Sequence, residues 1–203
     1  MNTTTTLPVV ARLTMLTLTA AGLSCGSSGA APAAAAACDA SCRDAAALLG
    51  LRDAIKEVYN IGLSGQPTGV EDAAVPMCPL GGTATVSGHA TSNAKQGSTS
   101  VDLIYVFDRC GYSNIDTDPT QVFSLTLTGT ISESGTIAVQ PSTTTALVFQ
   151  SASMTITGTV YSPPIPYDAS GAGGDGDACT VMLGQNGNDL AGALCGRSAG
   201  VTL

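Results

Sequence analysis

Two segments of this 203-residue chain begin and end on a cysteine and carry strand-like residues running toward a turn between them. The first opens as CPLGGTATVSGHA from Cys78, passes through the polar SNAKQGS, and returns as TSVDLIYVFDRC to Cys110. The second runs Cys179-TVMLGQ-NG-NDLAGAL-Cys195. In each, the cysteines stand at the open end of a β-hairpin. Counting inward places the turns at Ala94 and at Gly187, where Asn186-Gly187 is a strong two-residue turn signal. Paired strands hold Cα atoms about 4.5–5.5 Å apart, within disulfide reach. The arrangement predicts the bonds Cys78–Cys110 and Cys179–Cys195.

Cys38 and Cys42 are left by subtraction, and i,i+4 geometry within a helix does not favour their pairing. Two readings stand: a local bridge at a helix start, or two bridges that pin this start to the sheet. Their spacing suits zinc less well than CxxC, and His89 is the chain's one histidine.

Between the two hairpins the sequence keeps a period of two. Phe123, Leu125, Leu127, Gly129 and Ile131 alternate with Ser124, Thr126, Thr128 and Thr130; Met154, Ile156, Gly158 and Val160 alternate with Thr155, Thr157 and Thr159. Such alternation buries one face of an antiparallel sheet and wets the other. Further strands are expected at 135–140 and 144–151. Glycines inside strands, at Gly88, Gly129, Gly158 and Gly192, indicate bulges or bends and hence a curved sheet. Residues 162–178, SPPIPYDASGAGGDGDA, read as an interruption: an extended Pro-rich start and then a Gly/Asp loop.

Upstream, Leu48, Leu51, Ile55 and Val58 recur at three- and four-residue spacing, with Arg52, Asp53, Lys56 and Glu57 opposite. This predicts an amphipathic helix over about 39–61, capped by Asp39 or Ser41 and ended near Gly62. The expected domain is therefore α+β and mostly β: a curved antiparallel sheet of hairpins, disulfide-stapled and packed against one N-terminal helix, spanning 38–203.

Residues 1–24 have the organisation of a secretory signal: Arg12, then the apolar LTMLTLTAAGLS, with no acidic residue before Asp39. The run is too short to span a membrane. Residues 25–37 are a Gly/Ser/Ala-rich tether with Pro32. Where these segments meet, Ser24-Cys25-Gly26 resembles the lipobox of a bacterial lipoprotein, although Leu23 and Gly22 stand in swapped order relative to that pattern. The resemblance implies a lipid on the Cys25 sulfur, cleavage before it, and Gly26 favouring the outer membrane. The competing reading is ordinary cleavage with Cys25 a thiol. Seven cysteines are an odd number, and reserving Cys25 for lipid leaves six that pair fully in an oxidising compartment. The CPLGGT start, the Thr/Gly strands and the FDRC return are likewise similar to exported β-rich lipoproteins of Gram-negative bacteria, a likeness that implies no activity.

Charge narrows the function classes. Without Arg12 the chain carries six basic and fifteen acidic residues, or −9, so a phosphate-binding footprint for nucleic acid is missing. A Ser/His/Asp set would have to use His89, in SGHAT and without a GxSxG elbow. The acids Asp102, Asp108, Asp116 and Asp118 cannot be paired from sequence, and GAGGDG has no phosphate-loop lysine. Asp168, Asp175 and Asp177 form a calcium candidate without the EF-hand's acidic repeat, against a flexible acidic loop. No cofactor is expected. These features together predict a non-enzymatic cell-envelope lipoprotein, held to a membrane by its anchor, with a structural or interaction role. The alternative is a carrier of lipid or another apolar ligand between sheet and helix.

Overall fold

The computed structural model describes residues 38–63, 77–93, 95–138, 144–169 and 177–203. The leader, Cys25, the tether, Ala94 and Asp175 lie outside them. Ala36–Leu203 form one compact unit. Its described residues form a helix, α1 (Ala40–Leu63), and eight strands: β1 (Thr83–Asn93), β2 (Ser98–Asn114), β3 (Phe123–Ala138), β4 (Ala146–Val160), β5 (Ile165–Asp168), β6 (Cys179–Asn186), β7 (Asp189–Leu194) and β8 (Arg197–Thr202). The domain is mostly β, an open antiparallel sheet in the order β1-β2-β3-β4-β6-β7-β8. Long β4 pairs β6 along Ala146–Met154 and β5 along Thr157–Val160, so both lie beside one strand.

Burial alternates along the strands because one face receives the helix. Phe123, Leu125, Leu127 and Ile131 of β3 are buried, as are Val101, Leu103, Tyr105 and Phe107 of β2. The helix supplies Ala47, Leu48, Leu51, Ile55 and Val58 to the same core. Gly50 marks a close approach: a Cβ there would lie 2.5 Å from Leu125 Cδ1 and 3.1 Å from the Phe123 ring. The helix reaches β1 at one edge of the sheet and β8 at the other, so this one element covers the inner face.

Two bulges reset the alternation. In β2 the register shifts between Phe107 and Cys110, with Arg109 at φ 50°. Odd-numbered side chains face inward before it, and Cys110 faces inward after it. In β4 the shift falls between Ser151 and Met154, so Leu147 and Phe149 are buried before it and Met154, Ile156 and Val160 after it. The expected strands at 144–151 and 154–160 are thus one strand, and those at 123–131 and 135–140 join as β3. Mid-strand Gly158, at φ 141°, shows what bends cost: a Cβ would overlap the Ser124 carbonyl oxygen across the sheet.

All three cysteine pairs are bonded, with Cα–Cα separations of 5.2 Å (Cys38–Cys42), 5.3 Å (Cys78–Cys110) and 5.0 Å (Cys179–Cys195). The hairpin registers differ from a simple inward count. β1 pairs Asn93 with Ser98, which centres the turn beyond Ala94, at Lys95-Gln96. Cys78 lies outside the strand, in a turn held by Leu80 N–H to Gly111 O (3.0 Å) and Gly111 N–H to Gly81 O (2.9 Å). In the second hairpin Asn186 pairs with Asp189, so Gly187 and Asn188 make the turn.

Other boundaries also move. Asp39 caps α1, its Oδ1 accepting from Cys42 N–H at 2.9 Å, but Gly62 lies inside the last turn and is buried. Residues 165–168, expected within an interruption, form β5, because Tyr167 has a buried place to fill. After Cys195 the chain turns back as β8, a short and half-exposed strand whose RSAGVT carries a weak strand signal.

Candidate functional site

Two buried carboxylates enter the helix–sheet core. The first is Asp44, on the stripe that continues through Leu48 and Leu51, and only 5% exposed. Its carboxylate accepts from the Tyr167 hydroxyl at 2.8 Å and from Arg197 twice, through Nε at 3.0 Å and Nη2 at 2.9 Å. A two-pronged guanidinium contact satisfies both carboxylate oxygens and fixes orientation. Burial pushes the Tyr167 hydroxyl well above the ordinary tyrosine range, and its bond to Asp44 adds to the shift. Hydrogen bonding to Asp44 raises Arg197 further. The cluster ties the start of α1 to β5 and to the last strand. Pinning the helix start to the sheet is thus the work of this cluster, while Cys38–Cys42 closes a local ring.

The second is Glu133, at an inward position of β3 and 4% exposed. Tyr105, fully buried on the neighbouring strand, donates its hydroxyl to Glu133 Oε2 at 2.6 Å. Burial raises the Glu133 carboxyl above its ordinary range; the Tyr105 bond and the Arg52 charge pull the other way. Tyr59 is raised by burial and by the nearby Glu133 charge. Glu133 forms one wall of a pocket of about 140 Å³ between α1 and the sheet. Apolar Ile55, Ile137, Leu147 and Phe149 line it, with Arg52, Lys56, Tyr59 and Asn60 from the helix. A neighbouring recess beneath Leu51 and Ile55 has no room for even a water molecule.

The outer face is different in kind. Ser124, Thr126, Thr128 and Thr130 of β3 face Thr159, Thr157, Thr155 and Ser153 of β4. Ile104, Val106, Val148 and Met182 stand exposed among such hydroxyls, and a shallow depression of about 410 Å³ crosses this face at the β4 bulge.

The residues singled out from sequence do not converge. His89 lies on the exposed face of β1 opposite Asp102. Asp116 and Asp118 serve a turn: Asp118 N–H bonds Asp116 Oδ1 at 2.9 Å, and Asp118 in turn caps the short helical turn Pro119–Gln121. Hydrogen bonds from Thr120 lower the Asp118 carboxyl. Asp168 ends β5 and lines a recess beside Arg197, whereas Asp177 is exposed. Among the described residues no group of three or more His, Cys, Asp or Glu is placed to hold a metal ion. Sequence reasoning misses Asp44, Glu133, Tyr105, Tyr167 and Arg197. The signal that could have found them is an acid in an apolar register: Asp44 four residues before Leu48, and Glu133 two after Ile131.

Fold and interior define a class: an α+β domain whose open, disulfide-stapled antiparallel sheet is covered on one face by a single helix. Comparison with protein-family models, curated proteins and solved structures finds nothing that matches this chain. Among the described residues no helix is long and apolar enough to cross a membrane.

Proposed function

We propose that this chain is an exported cell-envelope lipoprotein, anchored through Cys25, whose β domain has a structural or docking role and no catalytic one. The observation that carries the choice between docking and lipid transport is the filled inner face. Pockets that enclose a drug-sized ligand run to roughly 300–1,000 Å³, whereas the helix–sheet pocket measures about 140 Å³. An acyl chain has no place there unless α1 leaves. Three disulfides support the export reading, because such bonds persist in oxidising compartments. The six bonded cysteines leave Cys25 as the odd thiol, which supports its use as the lipid attachment point.

Two measurements test this. Metabolic labelling with palmitate should mark the wild type and not Cys25→Ser; an unlabelled wild type ends the lipoprotein reading. Native mass spectrometry of the exported Cys25→Ser chain should give the mass of the disulfide-bonded polypeptide. Co-purifying lipid that is lost on denaturation would establish the carrier instead.

A further inference from the structure

The pocket beside Glu133 is too small for a lipid, yet it has the parts of a binding site. One carboxylate oxygen, Oε2, is held by Tyr105 at 2.6 Å. Tyr105 is the one hydrogen-bond partner of Glu133 among the described residues, which leaves Oε1 to the pocket that Glu133 lines. The residue is 4% exposed, and what solvent access Oε1 keeps is through the pocket it lines. Oε1 is not sealed from solvent, unlike the buried Oε1 of Gln185, so a ligand that donates one hydrogen bond there takes the place of water on an ionised acceptor, a bond of about 1.5–3 kcal/mol.

Size and charge narrow the ligand. A cavity of about 150 Å³ lined by aliphatic and aromatic side chains takes up benzene, and this one is about 140 Å³. Ile55, Ile137, Leu147 and Phe149 offer an apolar wall to a body of that size. The carboxylate opposes an anion. Arg52 and Lys56, both on α1 and both lining the pocket, oppose a cation. Either of those side chains can lie against the negative face of an aromatic ring. We propose that this pocket binds a neutral, single-ring aromatic molecule bearing one hydroxyl or N–H donor, with the donor on Glu133 Oε1 and the ring among Ile55, Ile137, Leu147 and Phe149. The site is independent of the anchoring reading above, and it assigns a role to a buried acid that packing alone does not explain.

The test uses the full chain carrying Cys25→Ser, which needs no detergent, with phenol and toluene as probes at pH 7. These differ by one donor and little else. Phenol should give saturable shifts in the methyl resonances of Ile55, Ile137 and Leu147, and bind at least about tenfold tighter than toluene, as one charge-assisted hydrogen bond requires. Benzoate and benzylamine should each bind more weakly than phenol. The double variant Tyr105→Phe/Glu133→Met removes donor and acceptor together and leaves no orphaned hydroxyl; it should bind phenol and toluene alike. Equal affinity of phenol and toluene for the Glu133 chain overturns the proposal, as does an absence of saturable phenol shifts at those methyls. If the double variant does not fold, the phenol-to-toluene ratio and the methyl shifts on the Glu133 chain decide the matter alone.

Discussion

Replacing Asp44 should unfasten the start of α1 from the far end of the chain. Asp44→Ala removes three hydrogen bonds at once, from Tyr167 and, twice, from Arg197. It leaves the Tyr167 hydroxyl, on a side chain 6% exposed, without its acceptor. Breaking a buried ion pair by deleting one partner costs about 3–5 kcal/mol. Here Arg197 is 41% exposed, so water recovers part of its loss and the low end, about 3 kcal/mol, applies. Tyr167→Phe removes one bond to a charged group, about 1.5–2 kcal/mol, and Arg197→Ala should fall in the same range. Since Asp44 is common to both contacts, the losses are not additive. A double-mutant cycle on Asp44 and Arg197 should give a coupling of about 1–2 kcal/mol.

The assay is urea denaturation with the disulfides intact, monitored by far-ultraviolet circular dichroism, since the chain has no tryptophan. Domains hold about 5–15 kcal/mol in total, so a loss of about 3 kcal/mol shifts the midpoint visibly. An Asp44→Ala chain within about 0.5 kcal/mol of the wild type would refute the reasoning, because a carboxylate with three short bonds in the core cannot be both formed and idle. A zero coupling energy would instead assign the loss to packing around the aspartate.

Other perturbations separate the remaining elements. Glu133 is raised when folded, so its contribution is complete below the unfolded value near 4.5 and is lost as pH rises through the folded one; Glu133→Gln should flatten that decline and be more stable than the wild type at pH 8, and a less stable variant there would show that the charge is needed. Tyr105 and Tyr167 are raised well above ordinary tyrosine, so ultraviolet titration should show two tyrosines that ionise only as the fold is lost in alkali. Gly158→Ala places a Cβ against the Ser124 carbonyl at φ 141° and should cost about 1–3 kcal/mol, whereas Gly184→Ala meets nothing within 4 Å and should be near neutral. Loop closure gives about 4 kcal/mol for the 32-residue Cys78–Cys110 loop, about 3 for the 16-residue Cys179–Cys195 loop and about 2 for Cys38–Cys42; serine pairs should rank in that order by denaturation midpoint.

Much of this fold was legible because it rests on period and punctuation. The Thr/aliphatic alternation, the helical stripe from Leu48 to Val58 and the cysteines at hairpin ends each act locally, and each reappears in the structure. What was not legible depends on partners distant in sequence. β8 is a half-exposed strand that exists by pairing with β7, and β5 is four residues secured by Tyr167 reaching Asp44, 123 residues away. The period of two divides β3 near residue 133, because Ser132, Glu133 and Ser134 break the apolar alternation. The strand continues through them since Tyr105, on the adjacent strand, supplies the partner that makes a buried glutamate tolerable. A polar residue in a core register is therefore ambiguous by itself: it ends a strand when unpartnered and marks an internal contact when a donor waits across the sheet.

The same logic explains why the staples sit where they do. A bulge rotates every later side chain onto the opposite face, and at Asp108-Arg109 that rotation carries Cys110 inward, to 1% exposure. Without it Cys110 would share the outward phase of Asp108 and could not meet Cys78 beneath the turn. In β4 the bulge before Met154 brings that residue opposite Cys179, the first residue of β6. Both long-range disulfides thus lie where a strand changes phase, which is where a sheet's register is weakest. A bond there stabilises the fold by loop closure and also excludes the slipped pairings that a Thr- and Gly-rich strand would otherwise sample. Removing Cys78 and Cys110 should consequently do more than lower the midpoint. Amide exchange in β1 and β2 should rise locally, ahead of the rest of the sheet, while a uniform rise across all strands would reduce the bond to a loop-closure effect alone.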